Sequence, residues 1–213
     1  MTRSTRGRWI FGTLPGAVGR PVGEAPGGLV VKFGGSLLER GDWPDLARDL
    51  LATLDPMTRL TVVIGGGAIV EGLRAIDAAV PGDERVVHRL AIDGMGITAR
   101  YVAAILDVPL VAAPLPADRA ASPPAPCAVL DMAAWLESAP DRDASIDRSW
   151  RVTSDSLAAH VASAHGLGLL LAKSVPPSTA ESLMALARSG WVDAAFPGAA
   201  RAVEGISWCA PLD

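Results

Sequence analysis

The chain has 213 residues, half of them hydrophobic, enough for one large α/β domain or two small lobes. A net charge of −4 argues against a nucleic-acid surface, and no apolar run reaches the ~18 residues of a membrane helix. Two cysteines, Cys127 and Cys209, make no disulfide framework and fit a reducing, cytoplasmic compartment.

Residues 1–27 are rich in Gly, Pro and Arg without periodicity, which predicts a flexible N-terminal arm. They lack the apolar core and cleavage site of a secretory signal. A first strand is expected at about 28–33, inside LVVKFGGSLL, Leu29 to Leu38. A continuous apolar run of this kind suits a parallel sheet covered on both faces. Lys32 is out of place there unless its ammonium acts at the strand's end. Gly34 and Gly35 let the backbone turn sharply and bring N–H groups close to a ligand, and Ser36 is placed to cap a helix whose N-terminus favours negative charge. Lysine, glycine turn and helix start make an anion cradle; the alternative is a partly buried structural lysine.

Trp43 to Leu54 has helical spacing, with Pro44 suited to the first turn. Thr61 to Ile64 is a second buried strand running into Gly65, Gly66 and Gly67, with a helix from about Ala68 to Ala79. The unit of strand, glycine turn and helix therefore occurs twice. A right-handed crossover places both turns at the carboxyl edge of one sheet, where they can face one ligand. Residues 83–106 predict a long helix whose Gly94 and Gly96 allow another helix to approach, so a dimer contact is expected there. His88 and Asp93 on it are either structural polar residues or part of a substrate pocket.

A third strand is expected at 108–112, a proline-rich loop at 114–126, a short strand at 127–130, a short helix at 132–137 and a polar loop at 138–149. Thr153 or Ser154 then caps a helix with Asp155 in its first turn, and Leu169 to Leu171 form a strand ending at Lys173. Asp155 and Lys173 would thus project from the same sheet edge. Residues 179–189 predict a helix, 192–204 mostly loop and 205–209 a last strand. Among the 19 basic residues only Lys32 and Lys173 are lysines, and both follow apolar strand-like runs. A lysine is a compact point charge that arginine does not replace in a tight site.

These residues resemble the amino acid kinase superfamily: VVKFGGSLL, then VVIGGG, then a late TSD helix followed by an apolar strand. The resemblance covers about 28–209. SWRVTSDSLAAHVA with GLLLAKS, and the closing GWVDAAFPGAA, are most similar to the methanofuran-pathway branch, the kinases of phosphorylated aminomethylfuran, and to its relatives in methylotrophs.

The resemblance implies a three-layer αβα sandwich with a mainly parallel open sheet, an acceptor half at about 28–145 and a nucleotide half at about 146–213. It implies a cytoplasmic, ATP- and Mg2+-dependent phosphotransferase acting on a small, phosphorylated intermediate of one-carbon carrier synthesis, and assembling as a homodimer or higher homo-oligomer. Lys32, Asp155 and Lys173 would be catalytic. Gly34, Gly35, Ser36, Ser154, Lys173 and Ser174 would line the donor phosphates. Gly65, Gly66, Gly67, Trp150 and Thr153 would face the acceptor. No protein cage for a metal is implied, nor a nucleic-acid or membrane partner. Pro176-Pro177 stands where many members carry Asp-Gly, and only about 38 residues follow Val175. A non-catalytic binding or scaffold subunit, or a kinase of an amino acid carboxylate or of isopentenyl phosphate, are the alternatives.

Overall fold

The computed structural model describes residues 3–14, 28–115, 127–178 and 182–212. Its strands are β1 (Arg3–Arg6), β2 (Trp9–Thr13), β3 (Leu29–Phe33), β4 (Leu60–Ile64), β5 (Leu110–Val111), β6 (Cys127–Leu130), β7 (Gly168–Ala172) and β8 (Ile206–Pro211). Its helices are α1 (Trp43–Thr53), α2 (Gly67–Ala79), α3 (Glu84–Leu106), α4 (Met132–Glu137), α5 (Pro140–Ser145), α6 (Ser154–His165), α7 (Leu183–Arg188) and α8 (Phe196–Ala199). Single 3-10 turns lie at Gly35–Glu39 and Ala200–Ala202.

The eight strands form one sheet in the order β1-β2-β8-β7-β3-β4-β6-β5. From β8 to β5 every pairing is parallel, and β1 and β2 add an antiparallel hairpin along β8. β3, β4 and β7 are buried at every residue, as their unbroken apolar sequences require when helices cover both faces. Side chains alternate across the sheet. Val30, Val63, Leu169 and Leu171 enter the core under α6 and α8, while Val31, Phe33, Ile64 and Leu170 enter the core under α1 and α3. This is the expected αβα sandwich. None of the described helices is long and apolar enough to cross a membrane.

The flexible arm expected at 1–27 is corrected for the residues described. Arg3–Arg6 and Trp9–Thr13 are strands, Trp9 and Phe11 are buried, and the Trp9 indole donates to the Leu46 carbonyl at 3.2 Å. β1 pairs with β2, and β2 with β8, about two hundred residues away, so the contact that anchors the hairpin is not announced by any local pattern. Residues 15–27 lie outside the described part, as do 116–126 of the proline-rich loop and 179–181 of the helix expected at 179–189. The loop expected at 138–149 contains α5, and that at 192–204 contains α8 and a 3-10 turn. Ser36 caps no helix: the turn after β3 is 3-10, and its N-cap position is Gly34. Gly94 meets Val70 and Ile69 of α2, so the helix it admits belongs to the same chain.

Candidate active site

The chain passes from β3 to β4 on one side and returns as β7 on the other. β3 is therefore the place where ligands bind beyond the carboxyl ends of an open α/β sheet. Asp155 and Lys173 meet there for a geometric reason. The twelve residues of α6 rise about 18 Å, and the five of β7 return about 17 Å. The helix start and the strand end come out level. Lys32, on the same face of β3 as Val30, points toward α6 as alternation dictates.

One carboxylate joins the two lysines. Asp155 Oδ1 lies 2.8 Å from Lys32 Nζ and Oδ2 lies 2.6 Å from Lys173 Nζ. Asp155 and Lys32 are only 3% and 4% exposed. Burial by itself would raise the Asp155 carboxyl, but the charges of Lys32 and then Lys173 outweigh it and hold the group below its usual value. Lys173 is lowered from 10.5 to about 8 by burial, then by the like charge of Lys32, against the pull of Asp155 and Asp193. The triad carries two ammonium groups for one carboxylate, which leaves one positive charge with which to meet an anion.

The two glycine turns interlock beside it. The Gly65 N–H donates to the Phe33 carbonyl and the Gly34 N–H to the Ala172 carbonyl, both at 3.0 Å. A Cβ on Gly35 would stand 2.4 Å from the Gly67 nitrogen, and one on Gly65 2.6 Å from the Gly35 nitrogen. No side chain fits at either position. Gly67 sits at φ +52°, where glycine is favoured. The Thr98 hydroxyl donates to the Gly65 carbonyl at 3.0 Å and ties this turn to α3.

These parts open into a cavity of about 800 Å³. Of the residues expected from sequence, Lys32, Gly35, Ser36, Gly66, Gly67, Trp150, Thr153, Ser154, Asp155 and Lys173 line it. Gly34, Gly65 and Ser174 do not: the two glycines support the turns, and the Ser174 hydroxyl accepts from the Ser36 hydroxyl at 3.2 Å. Buried His88 also lines the cavity, whereas Asp93 pairs with Arg89 on the outer face of α3. Cys127 and Cys209 are buried free thiols, and burial raises Cys127 to about 11.

Two groups at the site are not among those picked out from sequence. The first is the Arg74 and Asp77 pair of α2: Asp77 accepts the indole N–H of the expected Trp150 at 2.7 Å and the Arg74 guanidinium lies 4.2 Å above the Trp150 ring, so α2 and the lead-in to α6 form one wall. Asp193 is the second. It holds the start of α6, and its signal, an acid followed two and three residues on by the N–H groups that lead into α8, lies within the stretch expected to be mostly loop.

A model of the amino acid kinase family matches residues 28–177. The chain belongs to that family. No curated protein matches the sequence. Two solved structures share the amino acid kinase fold with it. UMP kinase from Ureaplasma parvum is 13% identical, with a TM-score of 0.53 over 84% of this chain and 87% of that one. Uridylate kinase from Archaeoglobus fulgidus is 14% identical, with a TM-score of 0.57 over 86% and 90%. Family membership supports a small-molecule kinase.

Proposed function

We propose that the protein is an ATP-dependent phosphotransferase whose acceptor is a small molecule with an anionic group of its own. The observation that carries this reading is the Lys32–Asp155–Lys173 triad set against two interlocked glycine turns at the carboxyl edge of the sheet. Phosphoryl transfer asks little covalent chemistry of a protein; it asks for in-line positioning and neutralised oxygens. ATP would supply the γ-phosphoryl group, with magnesium on its phosphates. Among the described residues no cluster of three His, Cys, Asp or Glu side chains is arranged to hold a metal ion, so the metal would arrive with the nucleotide.

Lys32 and Lys173 would contact the oxygens of the moving group while Asp155 fixes both ammonium positions. The turns at Gly35 and Gly66–Gly67 line the cavity beside them, where their backbone N–H groups would meet donor and acceptor oxygens. An acceptor oxygen forms the new bond to phosphorus as the bond to the bridging oxygen breaks. An acceptor that is itself a phosphate is already ionised and needs no strong general base. The nucleotide would lie over residues 146–213 and the acceptor over 28–145, where α2 and α3 form a wall that Trp150 meets from the other half.

The finer reading makes the acceptor a phosphorylated aminomethylfuran-type intermediate of one-carbon carrier synthesis. It rests on the resemblance of SWRVTSDSLAAHVA, GLLLAKS and GWVDAAFPGAA. We extend the proposal to a homo-oligomer in the cytoplasm. Val86, Leu90, Ile97 and Tyr101, roughly half exposed, mark one apolar side of α3 that a second copy would cover. Sedimentation as a monomer at micromolar concentration would remove that part.

The test is calorimetry with magnesium and a non-hydrolysable ATP analogue, then transfer assays against a phosphorylated aminomethylfuran, UMP, isopentenyl phosphate and free amino acids. Binding of the analogue, and a fall in turnover of about 10³-fold in Lys32→Ala, are expected. A folded wild-type protein that binds no nucleotide is a binding module and not a kinase.

A further inference from the structure

Asp193 makes more hydrogen bonds than the proposed chemistry accounts for. Oδ2 accepts from the Thr153 N–H at 3.0 Å, the Thr153 hydroxyl at 2.8 Å and the Ser156 N–H at 2.9 Å. Oδ1 accepts from the Ser156 hydroxyl, from the Ala195 N–H at 3.0 Å and from the Phe196 N–H at 2.9 Å. One carboxylate therefore serves two helix starts. It holds the N–H groups of Ala195 and Phe196 that lead into α8 and reaches across to the first turn of α6, where N–H groups have no partner within the helix. The cap native to α6, the Thr153 hydroxyl, reaches the Asp155 N–H at only 3.4 Å. Both residues flanking Ser154-Asp155 are thus fixed by Asp193.

The same segment reaches Lys173 by a second route. Trp191 holds its ring 5.2 Å from Lys173 Nζ and donates its indole N–H to the Val175 carbonyl at 3.1 Å. Residues 191–193 therefore reach Lys173 through the Trp191 ring, and Asp155 through its neighbours Thr153 and Ser156. A side chain held only for packing would not need six donors converging on one carboxylate beside a cavity.

We propose that Asp193 is a positioning residue: through the first turn of α6 it sets where the Asp155 carboxylate stands, and so how Lys173 is charged and aimed. The proposal rests on the kinase reading for its purpose but not for its test. The charged groups facing Lys173 are Lys32 from β3, Asp155 from α6 and Asp193 ahead of α8, with the Trp191 ring alongside. Removing the Asp193 charge and loosening Asp155 act in one direction, since each withdraws support from the ammonium.

The experiment uses the full chain with lysine labelled at Cε. Only Lys32 and Lys173 are lysines, so the carbon spectrum reduces to two side-chain signals, followed against pH. In Asp193→Asn the Lys173 midpoint should fall by about half a pH unit or more, and Asp193→Glu should restore part of it. A folded Asp193→Asn protein with an unmoved Lys173 midpoint overturns the proposal. Should that variant not fold, Thr153→Val keeps the Asp193 charge and removes one grip on α6. A smaller downward movement then supports the proposal, and none overturns it. Binding of the non-hydrolysable ATP analogue is measured on the wild type alongside. Its absence would sink the kinase reading, while the lysine titration still decides on Asp193.

Discussion

The cavity has two walls built on opposite terms. α6 buries seven residues, Asp155 among them, and its start is held by Asp193. α2, which follows the second glycine turn, has no buried residue. It is held instead by α3, by the turn after β3 and by the bond from Trp150 to Asp77. The wall that carries Asp155 belongs to the core, and the wall proposed to face the acceptor is laid on its surface. Positions that must not move by an ångström are placed where packing forbids movement. A wall that has only to fit a particular small molecule can vary without endangering the fold.

The largest expected break in this contrast comes from Asp155→Ala. It strands the buried Lys32 ammonium and the part-buried Lys173 ammonium, and the loss of a buried partner costs about 3–5 kcal/mol. Thermal unfolding should fall by many degrees and phosphoryl transfer should become undetectable; near-wild-type melting would show that the triad is not a stabilising ion pair. A middle-sized effect comes from pH. Lys173 is protonated below its value of about 8 and loses its charge above it. Turnover, followed from pH 6 to 10, should therefore decline as pH rises through about 8. A profile flat to pH 10 would leave Lys173 without a charge role.

The smallest break is expected on the other wall. Arg74→Ala removes the guanidinium over Trp150 but nothing buried. Stability should stay within about 0.5 kcal/mol, as for other surface changes. KM for the acceptor should rise about tenfold with KM for ATP unchanged. A large loss of stability would mean that α2 is built into the core after all.

The same contrast explains what the sequence disclosed. Lys32, Asp155 and Lys173 could be read because each sits at the end of a buried element with strong periodicity, and because two lysines stand among many arginines. The glycine turns were legible as strand endings, though not that they interlock at Gly35 and Gly67. Asp193, Asp77 and the β1–β2 hairpin were not. Asp77 gains its meaning from a residue 73 positions away and Asp193 from residues 37 to 40 positions away. Ser36, given a helix to cap, found a 3-10 turn instead, since two adjacent glycines leave the local geometry to long-range contacts.

The hairpin has one more consequence. β2 is paired with β8, Trp9 opposite Pro211 and Thr13 opposite Ser207. These are among the longest loop closures the chain can make, and such contacts form late and slowly because their entropy must be lost before they are rewarded. On the ribosome the first strands would wait for β8 to emerge. Until then β7 presents an unpaired edge beside Lys173, so the β8 side of the sheet would be the last part to close and the part most open to misassembly.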